Sequence, residues 1–193
     1  MEAVILAAGL SRRMGREKLL MPVAGRSVLE RTLAGVKRAC PDLQASLVVP
    51  ADGPVRDLAG QLGTCWHENA GAEEGIASSL RVAVTAAGSP PLLIFLGDQP
   101  MVSTAGVHAV RAAYAAAPDL AMAAPWYRGE PGHPVLVAER LFPALLELRG
   151  DRGARSLWSK LSHDLVRRVD VDEDPPPDLD TPDDYEWWVS TWR

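Results

Sequence analysis

Short apolar runs alternate with helix-like segments along this chain, and this alternation restricts its possible folds more than any other feature. The apolar runs are nearly continuous, which is typical of strands that are buried on both faces of a sheet. They are Ala3–Ala7, Ser46–Val49, Leu92–Leu96, Leu120–Ala124 and Pro134–Val137. The helix-like segments are Ser27–Cys40, Val55–Leu62, Ile76–Ala87, Ala105–Ala117 and Ala138–Leu148. This order predicts a mostly parallel sheet that is covered by helices on both faces.

The clearest helix signal follows Ser27. Ser27 and Glu30 have the spacing of a capping box, and Leu29, Leu33 and Val36 then fall on one helical face. The end of the chain has a different pattern. The segment Asp164–Val171 alternates polar and apolar residues and predicts an edge strand, and Asp170–Pro182 predicts an exposed connector to a last helix, Asp183–Trp192.

Length and composition indicate a single globular domain. The chain has 193 residues, of which 47% are hydrophobic and 23% are charged. A net charge of −5 argues against a nucleic-acid partner, and the absence of an 18-residue apolar run argues against a membrane partner. The N-terminus lacks the basic region of a signal peptide, so we expect a cytoplasmic location. Cys40 and Cys65 form no metal-binding pattern, and we expect both to be buried free thiols.

The first strand leads into a loop that is suited to anions. Ala7, Ala8 and Gly9 let a ligand approach the backbone closely. Cationic side chains that match a triphosphate follow within ten residues: Arg12, Arg13, Arg16 and Lys18. The loop has neither the P-loop pattern nor the GxGxxG pattern. A basic loop on a solvated face is the alternative interpretation.

Two acidic positions are candidate metal ligands. Asp98 follows the strand Leu92–Leu96, at the edge of a parallel sheet where ligands bind. A magnesium ion prefers one or two carboxylates together with phosphate oxygens. Asp180 directly precedes Thr181 and Pro182, which fit the cap and first residue of the last helix. From spacing alone, each aspartate could equally be an ordinary turn residue.

Taken together, these segments resemble the MobA-like nucleotidyltransferase family, especially its molybdenum cofactor cytidylyltransferase branch. The matching segments occur in the family's order from residue 4 to residue 184. They are LAAGLSRRMGREK at 6–18, GIASSL at 75–80, GDQP at 97–100, GHP at 132–134, GDRGAR at 150–155 and DTP at 180–182. The first segment is highly specific, whereas GDQP alone would be a weak signal.

The resemblance implies a fold and a division of labour along the chain. The fold would be a single-domain, Rossmann-like, three-layer α/β/α nucleotidyltransferase fold with a mostly parallel sheet, over residues 1–193. Residues of about 1–100 would bind the nucleotide, and residues of about 101–193 would bind the acceptor.

The resemblance also implies the site residues. The nucleotide-binding set would be Leu6, Ala7, Ala8, Gly9, Arg13, Lys18, Asn69, Gly75, Ser79 and Asp98. The catalytic set would be Arg13, Lys18 and Asp98. Asp98 and Asp180 would hold Mg²⁺, and the acceptor would contact Gly132, His133, Asp151 and Arg155.

The substrates follow from the same resemblance. Ala8 stands where the guanylyl branch usually has glycine, and its methyl group narrows the base pocket in favour of CTP. The acceptor would be molybdopterin or molybdenum cofactor, and a molybdoenzyme or its maturation factor would be a transient partner. The alternatives are a guanylyl-, sugar-phosphate or methylerythritol-phosphate nucleotidyltransferase, a nicotinamide-dependent oxidoreductase, and a non-catalytic cofactor-delivery protein.

Overall fold

The computed structural model describes residues 1–9, 16–179 and 181–191. Its strands are β1 Glu2–Leu6, β2 Pro22–Val23, β3 Arg26–Ser27, β4 Ala45–Pro50, β5 Cys65–Asn69, β6 Leu92–Leu96, β7 Met122–Tyr127, β8 Glu130–Pro131, β9 Val135–Val137 and β10 Val166–Val171. Its α-helices are α1 Val28–Ala39, α2 Pro54–Gln61, α3 Ile76–Ala87, α4 Thr104–Ala116, α5 Phe142–Leu146 and α6 Pro182–Thr191. Short 3-10 turns cover Lys18–Leu20, Ala72–Glu74, Glu139–Leu141, Ala154–Lys160 and His163–Leu165.

The main sheet has the strand order β10-β7-β9-β6-β1-β4-β5, and β8 pairs with β7. β1 is parallel to β4 and β6, β4 to β5, and β7 to β10. β9 is antiparallel to both of its neighbours, β6 and β7. The sheet is therefore mostly parallel, which confirms the predicted α/β fold class.

Helices cover both faces of this sheet. Along β1, Ala3 and Ile5 point into a core cluster that includes residues of α1, α2, α4 and α6. Val4 and Leu6 point into a second cluster, built with residues of α3 and α5. This alternation is the two-residue period of a strand that is buried on both sides. β1 thus belongs to both cores and joins the two layers of helices.

The predicted capping box at α1 is present. The backbone N–H of Glu30 donates to Ser27 Oγ (3.2 Å), and the backbone N–H of Ser27 donates to Glu30 Oε2 (2.6 Å). Hydrogen bonding from the Ser27 backbone is the main cause that holds the pKa of Glu30 below its ordinary value. The cap fixes the start of α1. It therefore also fixes the direction in which the chain enters α1 from the β2–β3 hairpin.

Three sequence-based expectations need correction. The helix predicted over Ala138–Leu148 is a 3-10 turn followed by the five-residue α5, because Pro143 lacks an N–H and starts a new helix. Cys65 is exposed because β5 is the edge strand, whereas Cys40 is buried and burial raises its pKa. The strand predicted over Asp164–Val171 does lie at the other edge, but it begins at Val166.

No α-helix in the described part of the chain is both long enough and apolar enough to cross a membrane.

Candidate active site

A cleft of about 550 Å³ lies at the carboxyl ends of β1 and β6. This is the edge at which ligands bind in parallel α/β sheets. Its walls come from the ends of these strands, the Lys18–Leu20 turn, the start of α3 and the loop after α5. The lining residues are Leu6, Ala8, Gly9, Lys18, Leu19, Ala72, Glu73, Glu74, Gly75, Ile76, Ser79, Leu96, Asp98, Gly150 and Asp151.

An ion pair joins the two strand-end loops inside this cleft. Lys18 Nζ lies 2.6 Å from Asp98 Oδ2, with side-chain exposures of 14% and 20%. Lys18 begins a 3-10 turn whose next residue, Leu19, is buried in the core. A cation and a carboxylate thus meet at the cleft surface on two separate, anchored loops.

The loop that carries Asp98 is fixed through Gly97. The backbone N–H of Gly97 donates to the carbonyl oxygen of Leu6 (2.9 Å), and Thr32 Oγ1 donates to the carbonyl oxygen of Gly97 (2.8 Å). A side chain at Gly97 would lie 3.1 Å from that Leu6 oxygen. Thr32 is fully buried in α1. Sequence reasoning missed Thr32, although a threonine on the apolar face of α1 was an available signal.

The first loop contributes Ala8 and Gly9 to the cleft. Ala8 is 2% exposed, and an added Cβ at Gly9 would meet no atom of the described residues within 4 Å. Ala7, by contrast, belongs to the core, and its N–H donates to the carbonyl oxygen of Val48 (2.8 Å). Of the four residues 6–9 that were predicted to contact nucleotide, Ala7 alone does not line the cleft.

Asn69 holds the start of α3 from behind the cleft. Its Nδ2 donates to Ser78 Oγ (2.8 Å) and to Ser79 Oγ (3.1 Å), and its Oδ1 accepts from the N–H of Gly71 (3.0 Å). Asn69 is buried and is not among the lining residues, whereas Ser79 is. The structure therefore shows Asn69 orienting Ser79 rather than facing the cleft itself.

Gly75 brings the loop after α5 against the start of α3. It has φ +92°, and an added Cβ would lie 2.5 Å from Asp151 Oδ1 and 2.6 Å from the carbonyl carbon of Gly150. The N–H of Ala77 donates to the carbonyl oxygen of Gly150 (3.1 Å). Asp151, which was predicted to bind the acceptor, thus lines the same cleft as Gly75 and Ser79.

The other predicted acceptor residues form a second cluster, which we call the Arg155 cluster: Gly132, His133 and Arg155. Arg155 Nη2 donates to the carbonyl oxygen of Gly132 (2.7 Å). Tyr127 Oη donates to the carbonyl oxygen of His133 (3.0 Å), and the Tyr127 ring leaves no space for a side chain at Gly132. None of the three residues lines the cleft.

Burial controls the charges in the Arg155 cluster. Desolvation, with a smaller contribution from the Arg155 charge, lowers the pKa of His133 to about 3. The imidazole is therefore neutral near pH 7 and too weak a base to take a proton there. Burial also lowers the pKa of Arg155, and its buried Nε has no hydrogen-bond partner within the described residues.

Two predicted site residues, Arg13 and Asp180, lie outside the described residues. On either side of position 180, Gln99 Nε2 donates to Asp178 Oδ1 (2.5 Å), and Thr181 with Asp184 caps α6. Sequence reasoning missed the Gln99–Asp178 contact. The only signal for it was that Gln99 adjoins Asp98.

The donor atoms of the cleft suit a hard divalent cation that takes most of its ligands from a substrate. In the described ranges, no group of three His, Cys, Asp or Glu side chains could hold a metal ion alone. Asp98 nevertheless offers a carboxylate beside the anion loop, and Mg²⁺ typically combines one or two carboxylates with phosphate and water oxygens. The residues present therefore fit a metal ion that binds together with a nucleotide.

Comparison with known proteins agrees with this geometry. Residues 3–165 match the family model described as the MobA-like NTP transferase domain. The chain is 30% identical to the purine catabolism protein PucB of Bacillus subtilis, across 95% of this chain and 93% of that protein. It is 25% identical to the molybdenum cofactor cytidylyltransferase of Escherichia coli, across 95% of this chain and 93% of that protein.

Solved structures give the same result at the level of the fold. A Mycobacterium sp. strain JC1 homologue of Rv0371c superposes with a TM-score of 0.82 at 33% identity, covering 98% of this chain and 95% of that one. Rv0371c of Mycobacterium tuberculosis H37Rv in complex with manganese has a TM-score of 0.76 at 29% identity, covering 98% and 97%.

Proposed function

The chain belongs to the MobA-like NTP transferase family, and from this premise we propose that it transfers CMP from CTP to the terminal phosphate of molybdopterin or molybdenum cofactor, with release of pyrophosphate. Nucleotidyl transfer is the activity of the family. The observation that carries the assignment to this cleft is the Lys18–Asp98 pair, 2.6 Å apart, beside Ala8 and Gly9.

The choice of CTP rests on Ala8 and on one relative. Ala8 lines the cleft, and the family resemblance associates alanine rather than glycine at this position with a narrower base pocket that favours a pyrimidine. The Escherichia coli relative is named as a cytidylyltransferase that acts on molybdenum cofactor. These two facts favour a pyrimidine nucleotide and a pterin-bearing acceptor.

In the proposed reaction, an oxygen of the acceptor phosphate attacks the α-phosphorus of CTP in line, and the bond to pyrophosphate breaks. A phosphate monoester is already anionic near pH 7, so the reaction needs positioning and charge neutralisation more than a general base. Lys18, together with Arg13, would neutralise charge on the leaving pyrophosphate. Asp98 and Asp180 would hold Mg²⁺, which supplies positive charge to the phosphate oxygens.

The Arg155 cluster would receive the acceptor. Arg155 Nε is a donor without a hydrogen-bond partner in the described parts of the chain, and a guanidinium group is well matched to phosphate oxygens. His133 is neutral and would contribute a hydrogen bond rather than a proton transfer. Asp151 would act on the nucleotide side, because it lines the cleft with Gly75 and Ser79.

The first experiment is to measure pyrophosphate release with Mg²⁺ for CTP, GTP, ATP and UTP, with molybdenum cofactor or molybdopterin as acceptor. We expect release with CTP that depends on the acceptor. Release with GTP in preference to CTP would contradict the role of Ala8. If pyrophosphate is released from CTP only when a sugar phosphate or methylerythritol phosphate replaces the pterin, the proposed acceptor is wrong.

Replacing Asp98 tests the assignment of the site. We expect Asp98→Ala to lower kcat by at least about 100-fold, the scale of losing one principal electrostatic element. Pyrophosphate release and circular dichroism would be measured together. Asp119→Ala, at an exposed position in the turn after α4, is the matched control and should keep full activity. A folded Asp98→Ala protein with near-normal turnover would show that the cleft is not the active site.

A further inference from the structure

The end of the chain contacts both loops that carry the Lys18–Asp98 pair. Gln99, directly after Asp98, donates to Asp178. On the other side, Tyr185 Oη donates to the carbonyl oxygen of Pro22 (2.7 Å), at the end of the segment that contains Lys18. The guanidinium of Arg16, at the start of that segment, lies 5.8 Å from the centroid of the Tyr185 ring.

The same part of the chain is anchored in the core. Leu179 and Trp188 are fully buried, and they belong to the cluster that also contains Leu19, Met21 and Val23. α6 therefore shares a core cluster with the Lys18–Leu20 turn and is hydrogen-bonded to the segment that follows this turn. A contact of this kind is fixed by packing and does not depend on the exposed hydrogen bonds alone.

This anchoring matters because Lys18 lies in a single 3-10 turn and Asp98 lies in the loop after β6, so the position of each depends on the segments packed beside it. A lysine side chain loses considerable rotamer entropy when it is held in one position. A displacement of about 1 Å in a site that works by positioning can lower the rate of reaction about 100-fold. The supporting contacts of Lys18 and Asp98 should therefore affect nucleotide binding even though they never touch the nucleotide.

We propose that Asp178, Leu179 and α6 form a brace that sets the position of Lys18 relative to Asp98, with Gln99 and Tyr185 as its positioning residues. Gln99 ties the brace to the Asp98 loop, and Tyr185 ties it to the segment Arg16–Pro22. The effect on catalysis rests on the proposed nucleotidyl transfer. The geometric effect on Lys18 does not depend on it.

The kinetic test compares variants at both ends of the brace. Tyr185→Leu removes the ring and the hydroxyl, whereas Tyr185→Phe keeps the ring over Arg16 and loses the bond to Pro22. We expect KM for the nucleotide to rise about fivefold in Tyr185→Phe, the scale of one lost hydrogen bond, and further in Tyr185→Leu. Gln99→Ala should also raise it, while KM for the acceptor stays constant. Glu186→Gln, exposed on α6, is the matched control.

A second readout needs no activity. Reductive methylation followed by peptide mass spectrometry measures the labelling rate of Lys18, with the exposed Lys37 and Lys160 as internal references. We expect Lys18 to be labelled at least about threefold faster in Tyr185→Leu and in Gln99→Ala than in the wild type and Glu186→Gln, because a lost hydrogen bond changes a local equilibrium by about that factor or more.

Unchanged Lys18 labelling in both folded variants would overturn the brace, whatever the enzyme transfers. If labelling changes but the wild type transfers no nucleotide, the brace stands and the proposed function fails. If the wild type is active, yet both variants keep the nucleotide KM and the Lys18 labelling of the wild type, the function stands and the brace fails.

Discussion

At the scale of single residues, the surroundings of His133 make its imidazole an unusually weak base. Its pKa falls from 6.5 to about 3, chiefly through burial. Below pH 6.5 the unfolded chain takes up a proton that the folded protein does not. Stability is therefore complete above pH 6.5 and declines as the pH falls towards 3, by at most about 1.4 kcal/mol per pH unit.

Replacing His133 by glutamine should remove this dependence. Urea midpoints of the wild type and of His133→Gln, measured between pH 7.5 and pH 4, would show a smaller loss of stability in the variant. Carboxylates that titrate in the same range affect both proteins equally, so the difference isolates His133. Identical pH slopes would mean that the pKa of His133 is the same in the folded and the unfolded protein. The pH profile of transfer should contain no step from His133.

Several residues that line the cleft were predicted from the sequence to lie at the same edge of the sheet. Ala8, Gly9, Lys18 and Asp98 share one edge because each follows a parallel strand or begins the next element, and that rule can be read from the pattern. The sequence did not predict that Asp151 lines the cleft, because its position depends on the contact of the Gly150–Asp151 loop with Gly75. The inward orientation of Asn69 depends in the same way on its bonds to Ser78 and Ser79.

At the scale of elements, α3 offers a matched pair of glycines. Gly75 at its start and Gly88 at its end both have positive φ, +92° and +75°. Only Gly75 lies against another segment, the Gly150–Asp151 loop. Alanine at either position should destabilise the fold by about 1–3 kcal/mol through backbone strain, and Gly75→Ala should also displace that loop.

We therefore expect Gly75→Ala to raise the Kd for CTP about tenfold, the effect of losing about 1.4 kcal/mol of binding, while Gly88→Ala leaves it unchanged. Isothermal titration of both variants with CTP and Mg²⁺, together with urea unfolding, would separate binding from stability. Equal affinities in the two variants would mean that the Gly150–Asp151 loop does not contribute to the nucleotide site.

Strands were easier to predict than their directions. The apolar runs located β1, β4, β6, β7 and β9, because strands buried on both faces have few polar residues. Nothing in a three-residue run such as Val135–Val137 says that it runs against its neighbours, because direction is set by the path of the connecting chain. The two-residue strands β2, β3 and β8 escaped prediction because strands so short have no period.

At the scale of the whole molecule, β1 and the strands beside it have residues in both cores, so we expect the two cores to unfold as one cooperative unit. Leu29 lies in one cluster and Leu145 in the other, and both are fully buried. Alanine at either position should lower the free energy of unfolding by about 2–5 kcal/mol. Leu146, adjacent to Leu145 but 40% exposed, is the control and should change it by less than about 1 kcal/mol.

Each variant should also shift a single unfolding transition. Urea titrations followed by circular dichroism and by tryptophan fluorescence should coincide for Leu29→Ala and for Leu145→Ala. Two separated transitions, one for each cluster, would show that the shared strands do not couple the two layers.

The reversed direction of β9 has a consequence for how this architecture can diversify. A strand that runs against its neighbours begins at the edge where they end, so the chain before Val135, opposite Ile94, approaches the carboxyl end of β6. The exposed turn at Arg128 and Gly129 leads into that chain. Extra residues inserted there would lie in the chain that leads to Gly132 and His133 of the Arg155 cluster, and the register of every parallel strand would stay intact. If the Arg155 cluster receives the acceptor, as proposed, such an insertion would change the choice of acceptor and leave the choice of nucleotide unchanged.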